Sequence, residues 1–296
     1  MTVVALFPIG ETRQLGECLG HITEMEIWEA VVVGAVQGLA EFLPISSSGH
    51  IVLTQFLLGM RPFPDGQESD VVLEVILHVG TLLSVLVYFW KTLWGLTRSL
   101  WTKEMVEERK WIALLALATV PAVILVLTPL GDLFESAYEN PVLVSGLLLV
   151  TGSLLLAPKV IKAKSKELTW KSALVMGIGQ AFAILPGISR SGSTITAGLL
   201  GGVEPKKAAE FAFLMSIPAI AGAVVFKLDE MKEKFAGEDV AAYGAGALAA
   251  FLVGLFAVFV VMEAVKRGKF AYFAYYCFAA GVAGMIWFGL INTGWK

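Results

Sequence analysis

Residues 34–50, GAVQGLAEFLPISSSGH, return at 177–193 as GIGQAFAILPGISRSGS. At a constant offset of 143 residues, Gly34, Gln37, Ala40, Ile45, Ser46, Ser48 and Gly49 recur as Gly177, Gln180, Ala183, Ile188, Ser189, Ser191 and Gly192, and Gly59 recurs as Gly202. A chain that writes the same Ser/Gly break twice has to fold as two related halves. The copies differ where chemistry would differ: the first carries Glu41, Ser47 and His50, the second Ile184, Arg190 and Ser193. One site built from two halves, acidic on one side and cationic on the other, is the expectation.

The surroundings of the breaks set the solvent. Hydrophobic residues make up 57% of the chain and charged residues 16%, against about 25% charged in a soluble domain. Several uncharged runs approach or exceed the ~18–20 residues that cross a bilayer's hydrocarbon core. The fold class is therefore all-α and polytopic in a membrane. The net charge of −3 comes with no basic stripe, which argues against nucleic acid as a partner. Cys18 and Cys277 lie in unrelated contexts, without metal-ligand spacing. Residues 1–24 lack a basic n-region and read as an N-terminal extension, and 25–296 read as a single integral membrane domain.

Six segments read as full spans: Val71–Trp90, Trp111–Leu130, Pro141–Pro158, Ala208–Phe226, Ala241–Met262 and Phe270–Leu290. Two further stretches are interrupted, Glu26–Phe42 by LPISSSG before Ile51–Gly59, and Trp170–Leu185 by PGISRSG before Thr194–Gly202. Each piece is too short for one crossing helix. Non-helical backbone at membrane depth is tolerated where protein buries it or water lines it. Both stretches are therefore expected to be re-entrant helix–loop–helix hairpins. Lys and Arg crowd the 91–110 and 159–171 connections, whereas 131–140 has Asp132, Glu135 and Glu139 and no Lys or Arg. The positive-inside bias puts the basic connections in the cytoplasm. Three spans separate the hairpins, and three is odd. The halves, about 25–158 and 170–292, then form an inverted repeat whose breaks meet near the membrane centre.

Facing breaks offer helix N-termini, a ready anion site. Ser46, Ser47, Ser48, Ser189, Ser191, Ser193 and Thr194 add hydroxyls, and Arg190 adds a planar cation able to grip phosphate bidentately. Glu41 stands one turn after Gln37 on the same face. A carboxylate beside an anion site calls for a bridging divalent cation, as in sites that bind Mg2+ through carboxylates and substrate phosphates. In the metal-free state the alternative is a salt bridge from Glu41 to Arg190. His50, two to four residues after the serines, is either a structural residue or an acid–base group. Glu74 and His78, four apart, line the cavity or pair with each other. Glu210 is expected to pair with Lys206 or Lys207, and Gly244, Gly246 and Ala249 to serve close helix packing.

QGLAEFLPISSSGH resembles an (E/Q)xxxE segment followed by Ser-Ser-x-Gly-His, and LPGISRSGSTIT resembles PGxSRSxxT. Both motifs, in this order and spacing, are those of the undecaprenyl-pyrophosphate phosphatase family known from bacitracin resistance, and the likeness runs from about residue 25 onward. It implies roles for Gln37, Glu41, Ser47, His50, Ser189, Arg190 and Thr194, with Glu41, Ser47, His50 and Arg190 as catalytic residues and Gln37, Ser189 and Thr194 on the substrate; the hydroxyls of Ser46, Ser48 and Ser191 in the same breaks are further substrate-binding candidates. The variable first position of (E/Q)xxxE is Gln37, which leaves Glu41, with Gln37 and Glu74 as further candidates, to hold a divalent cation, Mg2+ or Ca2+. The implied reaction is hydrolysis of a polyprenyl diphosphate to the monophosphate at the outer face of the cytoplasmic membrane. It recycles the lipid carrier for cell-wall synthesis. A homodimer stays open. The rival is a polyprenyl-phosphate flippase using the same anion site, since broken helices in an inverted repeat are also transporter architecture.

Overall fold

The computed structural model describes residues 25–58, 71–128, 140–161, 167–234 and 240–291. The N-terminal extension, Cys18 and Gly59 lie outside them, as does the side chain of Ser48. The described residues form eleven α-helices: α1 Ile27–Phe42, α2 Ser47–Leu57, α3 Val71–Tyr88, α4 Trp90–Ser99, α5 Val106–Val126, α6 Pro141–Val160, α7 Trp170–Phe182, α8 Arg190–Leu200, α9 Pro205–Lys234, α10 Val240–Lys266 and α11 Phe273–Ile286. Short turns Phe270–Tyr272 and Trp287–Ile291 extend α11 at either end. The protein is an all-helical, multi-pass membrane protein.

Among the described residues, five helical runs are long and apolar enough to cross a bilayer: α5, α6, Pro205–Asp229 of α9, α10, and Phe270–Leu290 through α11. The sixth expected span does not continue straight to Trp90. Its helix stops at Tyr88, and after Phe89 the chain turns by 76° into α4. The residues of α4 explain the turn. WKTLWGLTRS mixes five polar or charged residues, Lys91, Thr92, Thr97, Arg98 and Ser99, among exposed Trp90 and Trp94, a composition suited to the interface rather than the hydrocarbon.

Both interrupted stretches are broken where expected. α1 ends because Leu43 precedes Pro44, and a residue before proline is pushed out of the helical region; Leu43 stands at φ −64°, ψ 143°. α2 restarts at Ser47. In the second copy α7 ends at Phe182, and α8 restarts at Arg190, capped by Ser189, whose side chain accepts the Gly192 N–H at 3.2 Å.

The repeated glycines do the same job twice. A Cβ on Gly34 would lie 2.2 Å from the carbonyl oxygen of Gly246 on α10, and one on Gly177 would lie 2.3 Å from that of Ala118 on α5. Backbone contact between these helices needs a bare glycine, the small-residue packing of membrane helices. Three pairings correspond between the halves: α1 on α10 and α7 on α5, α3 on α10 and α9 on α5, α1 on α2 and α7 on α8; α8 packs besides on α6 and α9. The helices α3 with α9, and α6 with α11, pair across the two halves. Gly246 packs as expected, against Ala30 and Leu77, but Gly244 faces open space and takes no part. Glu210 also departs from expectation, because its carboxylate accepts from Thr92 at 2.9 Å. Lys207 pairs instead with Glu167 at 3.5 Å and Glu204 at 3.9 Å.

Candidate active site

The two breaks meet. Ser46 Oγ accepts the Gly187 N–H at 3.1 Å, and a Cβ on Gly192 would lie 3.2 Å from Pro44. The meeting needs unusual backbone on both sides. Ser46 stands at φ 67° and Gly187 at φ 93°. A non-glycine in the left-handed region costs on the order of 1–3 kcal/mol and persists where its surroundings hold it. Ser46 is held at two points, by its Oγ on Gly187 and by its carbonyl, which lies 2.7 Å from His50 Nδ1.

Each break is also pinned from a long helix behind it. Thr151 of α6, buried in an apolar run, donates to the Gly187 carbonyl at 2.8 Å and accepts the Ser189 N–H at 3.1 Å. Cys277 of α11 donates to the Pro44 carbonyl at 3.3 Å. Neither residue stands out in the sequence except as a weakly polar side chain inside an apolar segment.

Across the junction, Arg190 Nη2 lies 2.6 Å from Glu41 Oε1. The carboxylate is almost fully buried, with 3% of its side chain exposed, whereas the guanidinium keeps 26%. The other carboxylate oxygen, Oε2, accepts from Ser47 Oγ at 3.0 Å and from Gln37 Nε2 at 3.4 Å. Thus Gln37, Glu41, Ser47 and Arg190 form one hydrogen-bonded constellation drawn from α1, α2 and α8.

Two atoms of this constellation have spare capacity. Arg190 Nη1 and Gln37 Oε1 are buried and have no hydrogen-bond partner among the described residues. Buried polar atoms are normally paired, so a donor and an acceptor stand ready for an anion and a cation respectively. The donor set suits a shared divalent cation better than a closed cage. Among the described residues no three His, Cys, Asp or Glu side chains cluster as metal ligands. One carboxylate, one amide oxygen and the phosphates of a substrate match the way Mg2+ is held.

The remaining candidates take other places. Ser189 Oγ lies 3.2 Å from Ser191 Oγ and serves as the cap of α8. Thr194 Oγ1 donates to the Arg190 carbonyl at 2.8 Å. Although His50 follows the serines closely in sequence, its ring nitrogens do not bond the hydroxyls of Ser46 or Ser47. Nδ1 is on the Ser46 carbonyl and Nε2 is 2.5 Å from the Tyr276 hydroxyl, while Ser47 turns to Glu41. Glu74 likewise stays outside the hydrogen bonds of Glu41. Its carboxylate pairs with Lys227 of α9 at 2.9 Å, and its carbonyl lies 2.8 Å from His78 Nδ1. The Glu41–Arg190 salt bridge, the expected metal-free arrangement, is present.

Comparison with known proteins gives the same motifs a family. Residues 30–283 match the model of the Bacitracin resistance protein BacA family. An undecaprenyl-diphosphatase of Rhodopirellula baltica is 41% identical over 238 residues, covering 79% of this chain and 87% of the relative. Those of Thermodesulfovibrio yellowstonii and Salinibacter ruber are 37% and 38% identical over 234 and 254 residues, each covering 79% of this chain and 86% and 89% of the relatives. The repeated Ser/Gly breaks, the buried Glu41–Arg190 junction and these matches over most of the chain place it in the Bacitracin resistance protein BacA family.

Proposed function

We propose that this chain hydrolyses undecaprenyl diphosphate to undecaprenyl monophosphate and inorganic phosphate, the activity for which its relatives are named. The observation that carries the reading is Arg190. One amino group holds Glu41 while the other, Nη1, is buried with no hydrogen-bond partner among the described residues, on the first residue of α8. A diphosphate oxygen there would meet a charge-assisted donor and helix N–H groups together.

Phosphoryl transfer asks mainly for positioning and charge stabilisation. Arg190 and the N-termini of α2 and α8 would bind the phosphates, with Ser189, Ser191 and Thr194 keeping the α8 end in shape. The Ser47 hydroxyl already donates to Glu41. In the favoured course, Ser47 Oγ attacks the terminal phosphorus, its proton passes to Glu41, and the bond to the undecaprenyl phosphate oxygen breaks. Water then cleaves the phosphoserine, with His50 as the acid–base group. Glu41 and Gln37 would hold a divalent cation, which when bound offsets the charge of the diphosphate.

The test is phosphate release from undecaprenyl diphosphate by purified protein in detergent, where translocation has no meaning and a flippase would show nothing. Arg190→Ala is expected to lower turnover on the order of 10²–10³-fold, and a chelator to lower it reversibly. Unchanged turnover in Arg190→Ala would sink the site. Substantial turnover in Ser47→Ala would remove the phosphoserine and leave direct attack by water.

We further place the protein in the cytoplasmic membrane with the two hairpins dipping in from opposite faces and the site opening outward. The paired contacts of the halves and the Lys/Arg-rich connections support this placement. A cysteine in the 131–140 connection should react with a membrane-impermeant thiol reagent on intact cells, and one in 159–171 should not. The reverse labelling would invert the topology.

A further inference from the structure

His50 has a partner that lies outside the Glu41–Arg190 constellation. Its Nδ1 is 2.7 Å from the Ser46 carbonyl oxygen, and its Nε2 is 2.5 Å from the phenol oxygen of Tyr276 on α11. A carbonyl only accepts, so in the neutral ring Nδ1 carries the proton. Nε2 is then the basic nitrogen, and the Tyr276 hydroxyl donates to it. The rings also stack, with centroids 5.6 Å apart and planes 25° from parallel. When the imidazole takes a proton, both nitrogens donate and the phenol oxygen accepts after its hydrogen rotates. The contact therefore survives both protonation states, as an acid–base cycle requires.

The pairing is anchored in the fold. Tyr276 is followed by Cys277, which holds the Pro44 carbonyl, so consecutive residues of α11 fix the first break and the imidazole beyond it. α11 is itself packed on α6, whose Thr151 pins the second break. Tyr276 remains 46% exposed. It stands at the outer edge of the site, between the basic nitrogen and what lies beyond the helices.

We propose that Tyr276 is the positioning residue for His50. Ser46 fixes the Nδ1–H tautomer, and the Tyr276 hydroxyl holds Nε2 in place and covers its one lone pair, so a proton reaches Nε2 as the phenol's own hydrogen while the phenol oxygen takes another from water, and it leaves by the reverse path. This rests on the acid–base role given to His50 above. A hydroxyl on the ring nitrogen orients a functional imidazole in the way carboxylates orient metal-bound histidines.

The experiment reads the imidazole directly. The chain has three histidines, so 15N-labelled rings give few resonances, and the loss of one pair in His50→Gln assigns His50. Tyr276→Phe keeps the stacked ring and removes only the hydroxyl. The expected result is that the His50 Nε2 resonance moves toward that of a nitrogen without a donor, while Nδ1 stays where it was. Turnover should fall about tenfold with KM within about twofold, the size of one lost hydrogen bond at an acting group. An unmoved Nε2 resonance, or unchanged turnover, overturns the proposal. Wild-type turnover in His50→Gln instead overturns the role of His50 itself, whatever the resonance does in Tyr276→Phe, so the two failures are told apart.

Discussion

The two hairpins carry one sequence pattern and do different work. In the first, Gln37 and Ser47 converge on a buried carboxylate, and His50 is led away to Tyr276. In the second, the position of Glu41 is held by Ile184, and Gln180, the counterpart of Gln37, is buried with neither amide atom hydrogen-bonded among the described residues. The second hairpin keeps the glutamine without the acid it served. What it contributes is Arg190, which reaches across to the first hairpin's Glu41. The shared residues, Gly34 with Gly177 and Ser46 with Ser189, build the frame; the unlike residues build the chemistry. Duplication supplied two similar breaks, and divergence made one acidic and the other cationic.

Exchanging the charges tests that division with the largest expected effect. Glu41→Arg and Arg190→Glu each place like charges together in a buried junction, which costs about 3–5 kcal/mol when a partner is lost. Each should also lose turnover by at least about 10³-fold. The double exchange restores an ion pair, so its thermal unfolding in detergent should return most of the way to wild type. Turnover should not return, because Ser47 and Gln37 would then face a cation. A double variant that regains activity would mean that the junction is structural and that the hairpins are chemically interchangeable.

The glycines test the other half of the comparison, the likeness of the frames. Gly34→Ala and Gly177→Ala would each put a methyl carbon 2.2–2.3 Å from a backbone carbonyl, so α1 must move off α10 and α7 off α5. Overpacking of this kind costs roughly 1–3 kcal/mol. The two variants should lose similar stability, measured as the shift in unfolding midpoint in one detergent. A large loss in one and none in the other would show that the halves are not held together in the same way.

The sequence made much of this legible, for physical reasons. A Pro or Gly at a break is a local signal, so both hairpins could be placed to within a few residues, and a charged Arg190 among serines at membrane depth is too costly to lack a partner. Long-range partners leave no such trace. Nothing local marks Tyr276 as the neighbour of His50, 226 residues away, or Thr151 as the pin of the second break. Proximity in sequence misled in the same way. Ser47 and His50 are three apart, yet the hydroxyl turns to Glu41, because the left-handed Ser46 directs its carbonyl to His50 and fixes the ring elsewhere. The apolar pattern runs on through Phe89 and Trp90, two residues past the end of α3 at Tyr88, because the bend there leaves no local mark.

The smallest expected effect concerns the pins behind the breaks. Thr151 satisfies two buried backbone groups at once, the Gly187 carbonyl and the Ser189 N–H. Thr151→Val keeps the shape, removes the hydroxyl and leaves both groups without that partner, a loss of about 1–3 kcal/mol. Ser189 precedes Arg190, so the cation should shift as well, and turnover should fall about tenfold. Cys277 offers the Pro44 carbonyl only a thiol, a weak donor. That carbonyl keeps a second lone pair, and Cys277→Ala should cost less than about 1 kcal/mol with turnover within about twofold. The expected order follows from which break holds the mobile charge: the second must keep a long Arg190 on target, while the first carries a short Glu41 set on an unbroken stretch of α1. Equal losses in Thr151→Val and Cys277→Ala would show that both breaks are equally dependent on their pins. The asymmetry between the hairpins would then end at the side chains and not extend to the backbone that holds them.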